Sequence, residues 1–143
     1  NYRMNDVQAT LGINQLKRIN LFLKKRKEIS KIYYKKLVHR FIQLPIKTKG
    51  IRSSFHLFVI RIKHLNSKIN RDILYKTLLK KKIGVNIHYI PIHFHKFYQK
   101  IFNKKKFPES EKYYEEALSL PIHPDLSKKD VNKIIYQIKK IIK

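Results

Sequence analysis

The sequence has no cysteine and no tryptophan, and only three glycines and nine acidic residues among its 143 positions. Without cysteine it has no disulfide, no thiolate metal site and no cysteine nucleophile. Three scattered glycines exclude a glycine-rich phosphate-binding loop. Lysines interrupt every apolar run well before the ~20 residues of a membrane-spanning helix, and no apolar signal segment opens the sequence. We therefore expect a cytoplasmic protein without membrane insertion.

The net charge is +25, carried by 27 lysines and seven arginines. A charge of this size ordinarily indicates binding to nucleic acid or to an anionic membrane surface. However, residues encoded by A/T-rich codons dominate the composition, and the lysines spread along the whole chain. Arginine, the better phosphate ligand, is scarce. We interpret the charge mainly as codon bias, and keep a stand-alone basic nucleic-acid-binding module as the alternative function.

Hydrophobic spacing and capping residues predict four helices. Apolar residues spaced by three to five, without proline, indicate a long helix over residues 5–38 that bends near Gly12. The other three helices have recognisable ends. They are residues 71–82 between Asn70 as N-cap and Gly84 as C′ residue, residues 108 to about 118 opened by Pro108, and a last helix capped by Ser127 and Asp130.

Three short segments are predicted to form strands. A dense apolar run over 55–62 indicates a strand buried on both faces, residues 85–89 a short strand, and residues 118–121 an edge strand that ends in proline. Helices and strands alternate, and no linker or repeat divides the chain. The sequence therefore predicts one α/β domain over residues 1–143, a two-layer α+β arrangement of about three strands covered by about four helices.

Histidines near a proline are the main candidates for chemistry. His88, His93 and His95 have no acidic neighbour in sequence and match no standard zinc spacing, so we expect no metal. Their position around Pro91 is typical of a binding loop, although histidines that merely satisfy backbone groups would fit as well. His56, within a predicted strand, is interpreted as a core or interface residue. Neither Ser119 nor the pair Glu115 and Glu116 lies in a hydrolase-like context.

Several segments, in order, resemble the DegT/StrS family of sugar aminotransferases. The resemblance covers essentially the whole chain, and its longest motif is N-x-R-M-x-(D/E)-x-Q-A-x-x-G-x-x-Q-L at the start. The matching segments are Asn1-Tyr2-Arg3-Met4-Asn5-Asp6-Val7-Gln8-Ala9 with Leu11-Gly12 and Gln15-Leu16, His56-Leu57-Phe58, His88-Tyr89-Ile90-Pro91-Ile92-His93, and Phe107-Pro108-Glu109-Ser110-Glu111 with Leu118-Ser119-Leu120-Pro121.

The resemblance implies a fold type I enzyme that depends on pyridoxal 5′-phosphate (PLP) and acts as a homodimer. It implies that this chain is the small C-terminal domain of an aspartate-aminotransferase-like fold, with residues 1–12 at the junction with a large domain. The Schiff-base lysine is expected upstream, in that large domain. None of the 27 lysines lies in the family's Schiff-base motif, so we assign no catalytic residue here and expect the chain alone to be inactive.

Site residues follow from the same resemblance. Asn1 and Arg3 correspond to cofactor-binding positions, with an interface salt bridge as an equal alternative for Arg3. His88, Tyr89 and His93 correspond to the loop that lines the sugar-nucleotide site. The segments around His56 and His88 are most similar to enzymes that transfer an amino group from glutamate to a UDP-linked 4-keto-6-deoxy sugar in surface polysaccharide or glycan biosynthesis.

Overall fold

The computed structural model describes residues 2–63, 69–102 and 106–143. Within these residues it contains five α-helices, one 3₁₀ turn and three strands. In chain order they are α1 Asp6–Lys36, β1 Ile42–Gln43, β2 Phe58–Ile62, α2 Arg71–Lys80, the 3₁₀ turn Ile92–Phe94, α3 Lys96–Phe102, α4 Pro108–Glu116, β3 Ala117–Leu120 and α5 Lys128–Ile141. The predicted two-layer α+β class is confirmed, with α3 and β1 added to the predicted elements.

The three strands form one antiparallel sheet in the order β1–β2–β3. Ile42 pairs with Ile62, and Val59 pairs with Ser119. The prediction that β2 is buried on both faces is wrong, because its burial alternates: one face is fully buried, whereas Arg61 on the other face is only half-buried. The strand also begins at Phe58, so the earlier part of the apolar run lies outside it.

The strand predicted over residues 85–89 is reduced to a single bridge between Asn86 and Ser119. Both backbone hydrogen bonds of this bridge are made, at 3.2 and 2.8 Å. The next amide, that of Ile87, donates to the side chain of Asn86 instead of to a neighbouring strand. This local bond competes with continued pairing. β3 is therefore an edge strand of the sheet, as its proline predicts.

Helix ends agree with the predicted caps except at the end of α2. Asn70 caps α2, Pro108 opens α4, and Ser127 caps α5 through the amide of Asp130. The prediction that Gly84 is the C′ residue of α2 is wrong. Lys82 takes the left-handed conformation there, with φ of 57°, and the amide of Ile83 closes the end on the carbonyl of Leu78.

The long first helix is buried only near its C-terminal end. α1 begins with a capping box between Asn5 and Gln8 and continues without interruption through Gly12. Only Ile29, Ser30 and Tyr33 are buried in it, although the apolar spacing that predicts the helix extends along its whole length. Its N-terminal half instead exposes a series of apolar side chains. These are Val7, Leu11, Ile13, Leu16, Ile19, Leu21 and Leu23.

The core lies between the sheet, α2, α5 and the last turns of α1. Leu74 and Leu78 of α2 and Val131 and Ile138 of α5 are fully buried beside the buried face of β2. The four buried apolar residues of α5 follow the helical period, as its spacing predicts; they are Val131, Ile134, Ile135 and Ile138. No helix in the described residues combines the length and the hydropathy needed to cross a membrane.

Candidate functional site

His88 begins the candidate loop and is held from two sides. Its Nδ1 lies 2.8 Å from the hydroxyl of Ser119 in β3, and its Nε2 lies 3.3 Å from Nδ2, the side-chain amide nitrogen, of Asn86. The Asn86–Ser119 bridge therefore fixes both partners of the imidazole at the sheet edge. Ser119 belongs to β3, the edge strand of the sheet, and Asn86 is bridged to it. This bridge anchors the chain just before the segment that leads to Pro91.

His93 is held by a different element, the first turn of α4. Its Nε2 lies 3.0 Å from Oε1 of Glu111, and its ring contacts those of Phe94 and Phe107 at centroid distances of 4.5 and 4.8 Å. The same Glu111 oxygen accepts the backbone N–H of Phe107 at 2.9 Å. The His93 side chain is only 9% exposed, so this ring is enclosed.

The remaining predicted site residues differ in their surroundings. Tyr89 is 75% exposed, and its ring meets that of His88 edge-on at 4.7 Å, so its hydroxyl faces solvent. Arg3 is exposed in the segment just before α1, and Asn1 lies outside the described residues. His56 is exposed, and its Nδ1 lies 3.4 Å from Nη1 of Arg26, before β2 begins. Its interpretation as a core residue within a strand is therefore wrong, whereas its role as an interface residue stays a prediction.

No group of three or more histidine, aspartate and glutamate side chains in the described residues is placed to hold a metal ion. Two cavities, of about 350 and 460 Å³, lie along α5 and are not lined by the loop. The loop therefore contributes polar side chains to one side of a site and does not line either of these cavities. The phenol hydroxyl of Tyr89 can exchange hydrogen bonds with the hydroxyl and phosphate oxygens of a ligand, whereas both ring nitrogens of His88 and Nε2 of His93 already contact protein groups.

Sequence reasoning missed the residues that hold the two histidines. In the sequence, Glu111 is one residue of the family segment over residues 107–111, and Ser119 is a serine without a hydrolase context. Glu111 lies 18 positions from His93 and Ser119 lies 31 positions from His88. Only the tertiary fold brings these pairs together, and no local sequence pattern predicts the two contacts.

The carboxylate of Glu111 makes the stability of the protein sensitive to acid. The N–H donated by Phe107, followed by the hydrogen bond and charge of His93, holds the pKa of Glu111 below its usual range. An unfolded glutamate titrates near pH 4.3. The stabilisation is therefore complete above that pH and is lost as the pH falls through the lowered folded-state pKa.

We expect the free energy of unfolding of the wild type to fall more steeply than that of Glu111→Gln between about pH 5 and about pH 3. Glutamine keeps an acceptor oxygen but does not titrate. Urea unfolding followed by circular dichroism at several pH values measures how the free energy of unfolding of each protein depends on pH. Parallel slopes would show that the carboxylate contributes nothing to acid sensitivity.

Solved structures with this fold are those of sugar aminotransferases. PseC of Helicobacter pylori, an aminotransferase involved in the biosynthesis of pseudoaminic acid, superposes with a TM-score of 0.87 at 29% identity, over 99% of this chain and 38% of that one. The PLP form of Spr1654 from Streptococcus pneumoniae superposes with a TM-score of 0.85 at 28% identity, over 97% of this chain and 36% of that one. The fold is thus that of one part of these sugar aminotransferase structures.

Residues 1–139 match the DegT/DnrJ/EryC1/StrS aminotransferase family, and the chain belongs to that family. Spore coat polysaccharide biosynthesis protein SpsC of Bacillus subtilis is 35% identical over 99% of this chain and 38% of its own length. The UDP-4-amino-4,6-dideoxy-N-acetyl-beta-L-altrosamine transaminase of Campylobacter jejuni is 36% identical over 91% of this chain and 35% of its own length. The chain therefore spans little more than a third of these relatives, and the resemblance found in its motifs is confirmed.

Proposed function

We propose that the polypeptide as encoded is a PLP-dependent aminotransferase that moves an amino group from glutamate to a UDP-linked 4-keto-6-deoxy sugar. The observation that carries this proposal is the family match over residues 1–139. The transaminase of Campylobacter jejuni is named for a UDP-linked amino sugar, and SpsC is named for polysaccharide biosynthesis. These names support a role in surface polysaccharide or glycan biosynthesis, and our proposal locates this role in the cytoplasm.

Within that enzyme this chain forms the small C-terminal domain, and residues 1–12 lie at the junction with a large domain. The exposed apolar side chains of the N-terminal half of α1 support this arrangement. Val7, Leu11 and Leu16 are 70%, 61% and 66% exposed, and apolar surface of this kind normally marks a contact with another folded body. The Schiff-base lysine and the other catalytic groups then belong to the large domain, and the enzyme acts as a homodimer.

The residues before α1 suit the phosphate of the cofactor. Arg3 presents an exposed guanidinium near the N-terminus of a 31-residue helix, where the helix dipole favours an anion. Asn1, which belongs to the same family motif, would add an amide donor. When bound, PLP supplies the electron-accepting ring on which amino-group transfer depends. The two side chains hold and orient that group.

The loop from His88 to His93 lines the sugar-nucleotide site. Its two imidazoles are fixed by different elements, β3 and α4, and so present their polar atoms in a set geometry. Tyr89, whose ring contacts that of His88, is exposed to solvent. Hydroxyl, carbonyl and diphosphate oxygens of a UDP-linked sugar are suitable partners for this set.

Neither the fold nor the relatives support the stand-alone nucleic-acid-binding module. Two of the basic side chains, Arg61 and Lys63, pair with Glu116 within the fold. The high positive charge is left with no assigned role.

Bound PLP gives the first test of this function. The purified polypeptide should show the visible absorbance of bound PLP, and glutamate should bleach it. Replacing Tyr89 by alanine should leave that absorbance and the glutamate response unchanged, and raise the KM for the sugar nucleotide roughly tenfold by removing one contact. Replacing Tyr98 by alanine is the matched control, because it is a partly exposed tyrosine of α3 outside the loop. Absence of PLP from the intact polypeptide would refute the proposal.

A further inference from the structure

Glu111 occupies the point where the substrate loop meets α4. One carboxylate oxygen, Oε1, lies 2.9 Å from the backbone nitrogen of Phe107 and 3.0 Å from Nε2 of His93. The first contact fixes the carboxylate against the start of its own helix. The second connects that helix to the loop, so the two elements share a single acceptor atom.

The chemistry of this contact determines which atom carries the proton. An ionised carboxylate only accepts hydrogen bonds, and the pKa of Glu111 is held low by the N–H of Phe107. Nε2 of His93 therefore donates. Lys106, which precedes α4, adds positive charge near the same carboxylate and favours its ionised form.

Packing leaves the His93 ring little freedom apart from this bond. The rings of Phe94 and Phe107 contact it, and its side chain is 9% exposed. The Glu111 side chain, which contacts Nε2 of this ring, is 26% exposed. Aromatic walls restrict the plane of the imidazole, whereas the carboxylate selects which nitrogen points toward α4.

We propose that Glu111 is the positioning residue for His93, fixing the orientation and the Nε2-protonated state in which His93 meets the sugar nucleotide. This inference rests on the proposed function of the loop. Glu111 does not touch the substrate and acts through the imidazole alone. Ser119 holds His88 through a neutral hydroxyl, so the two histidines are set by chemically different partners.

A double-mutant cycle on the polypeptide as encoded tests the proposal, with Glu111→Ala, His93→Ala and the double variant. We expect Glu111→Ala to raise the KM for the sugar nucleotide roughly tenfold in the wild-type background and less than about twofold in the His93→Ala background, since coupled residues are not additive. The kcat and the KM for glutamate should change less than about twofold. Glu111→Gln, which keeps an acceptor oxygen, should recover most of the loss.

Glu109→Ala is the matched control, because Glu109 is an exposed glutamate in the same first turn of α4; it should leave both KM values unchanged. Equal effects of Glu111→Ala in the two backgrounds would overturn the proposal, since a residue that only stabilises α4 acts independently of His93. If Glu111→Ala does not fold, the cycle is repeated with Glu111→Met. Lack of amination by the unmutated polypeptide would refute the proposed function, and the positioning role with it.

Discussion

Replacing Phe58 by alanine is expected to lower the free energy of unfolding by about 3–5 kcal/mol, the largest effect of any single change considered. Phe58 opens β2, is fully buried and lies at the centre of an aromatic cluster. Its ring centroid lies 4.9 Å from that of Tyr33, 5.2 Å from that of Tyr34 and 6.5 Å from that of Phe55. Alanine would remove all three contacts and leave a cavity where α1 packs on the sheet.

Urea unfolding of the polypeptide, followed by circular dichroism, measures this loss. Phe97→Ala is the control, because Phe97 is 72% exposed in α3 and the same substitution there should change stability by less than about 0.5 kcal/mol. Equal losses for the two variants would contradict the position of Phe58 in the core. The result matters for function as well, because β2 supports β3, and β3 carries the Ser119 that holds His88.

Replacing Arg61 by alanine is expected to lower the free energy of unfolding by about 3 kcal/mol, because the substitution leaves Glu116 buried without its main partner. The Glu116 side chain is 3% exposed, and its Oε2 lies 2.8 Å from both Nε and Nη2 of Arg61. Lys63 lies farther away, at 3.4 Å, and is 39% exposed. Its charge can replace only part of the lost interaction.

The same measurement on Arg61→Met combined with Glu116→Leu should show a stability within about 1 kcal/mol of the wild type, since no buried charge is then left unpaired. A double variant that is as unstable as Arg61→Ala would show that the pair contributes more than mutual neutralisation. The pair joins β2 to the end of α4, and the beginning of α4 carries Glu111. It therefore helps to fix the helix from which His93 is held.

Elements with strong local signals could be predicted from the sequence. The last helix has a capping pair at Ser127 and Asp130 and an apolar face at helical spacing, and it forms as predicted. Asn70 and Pro108 likewise mark the starts of α2 and α4. In each case the residues that decide the structure are neighbours in sequence, so no knowledge of the tertiary fold is required.

Elements decided by distant contacts could not be predicted. β1 has two residues and exists only because Ile42 meets Ile62 across the sheet. Residues 85–89 look like a strand, but within the part of the chain that the structure describes they form a bridge only at Asn86. The same reason limited the prediction of the site. The histidines were identified through their family motif, whereas the partners that fix them, Ser119 and Glu111, come from elements far along the chain.

Transfer of labelled nitrogen tests the proposed aminotransferase activity most directly. The polypeptide as encoded is incubated with PLP, glutamate labelled with nitrogen-15 and a UDP-linked 4-keto-6-deoxy sugar, and the sugar nucleotide is analysed by mass spectrometry. If the proposed activity is correct, the label appears in an amino group at the former keto carbon of the sugar. A polypeptide that binds PLP and leaves the sugar unlabelled would contradict it.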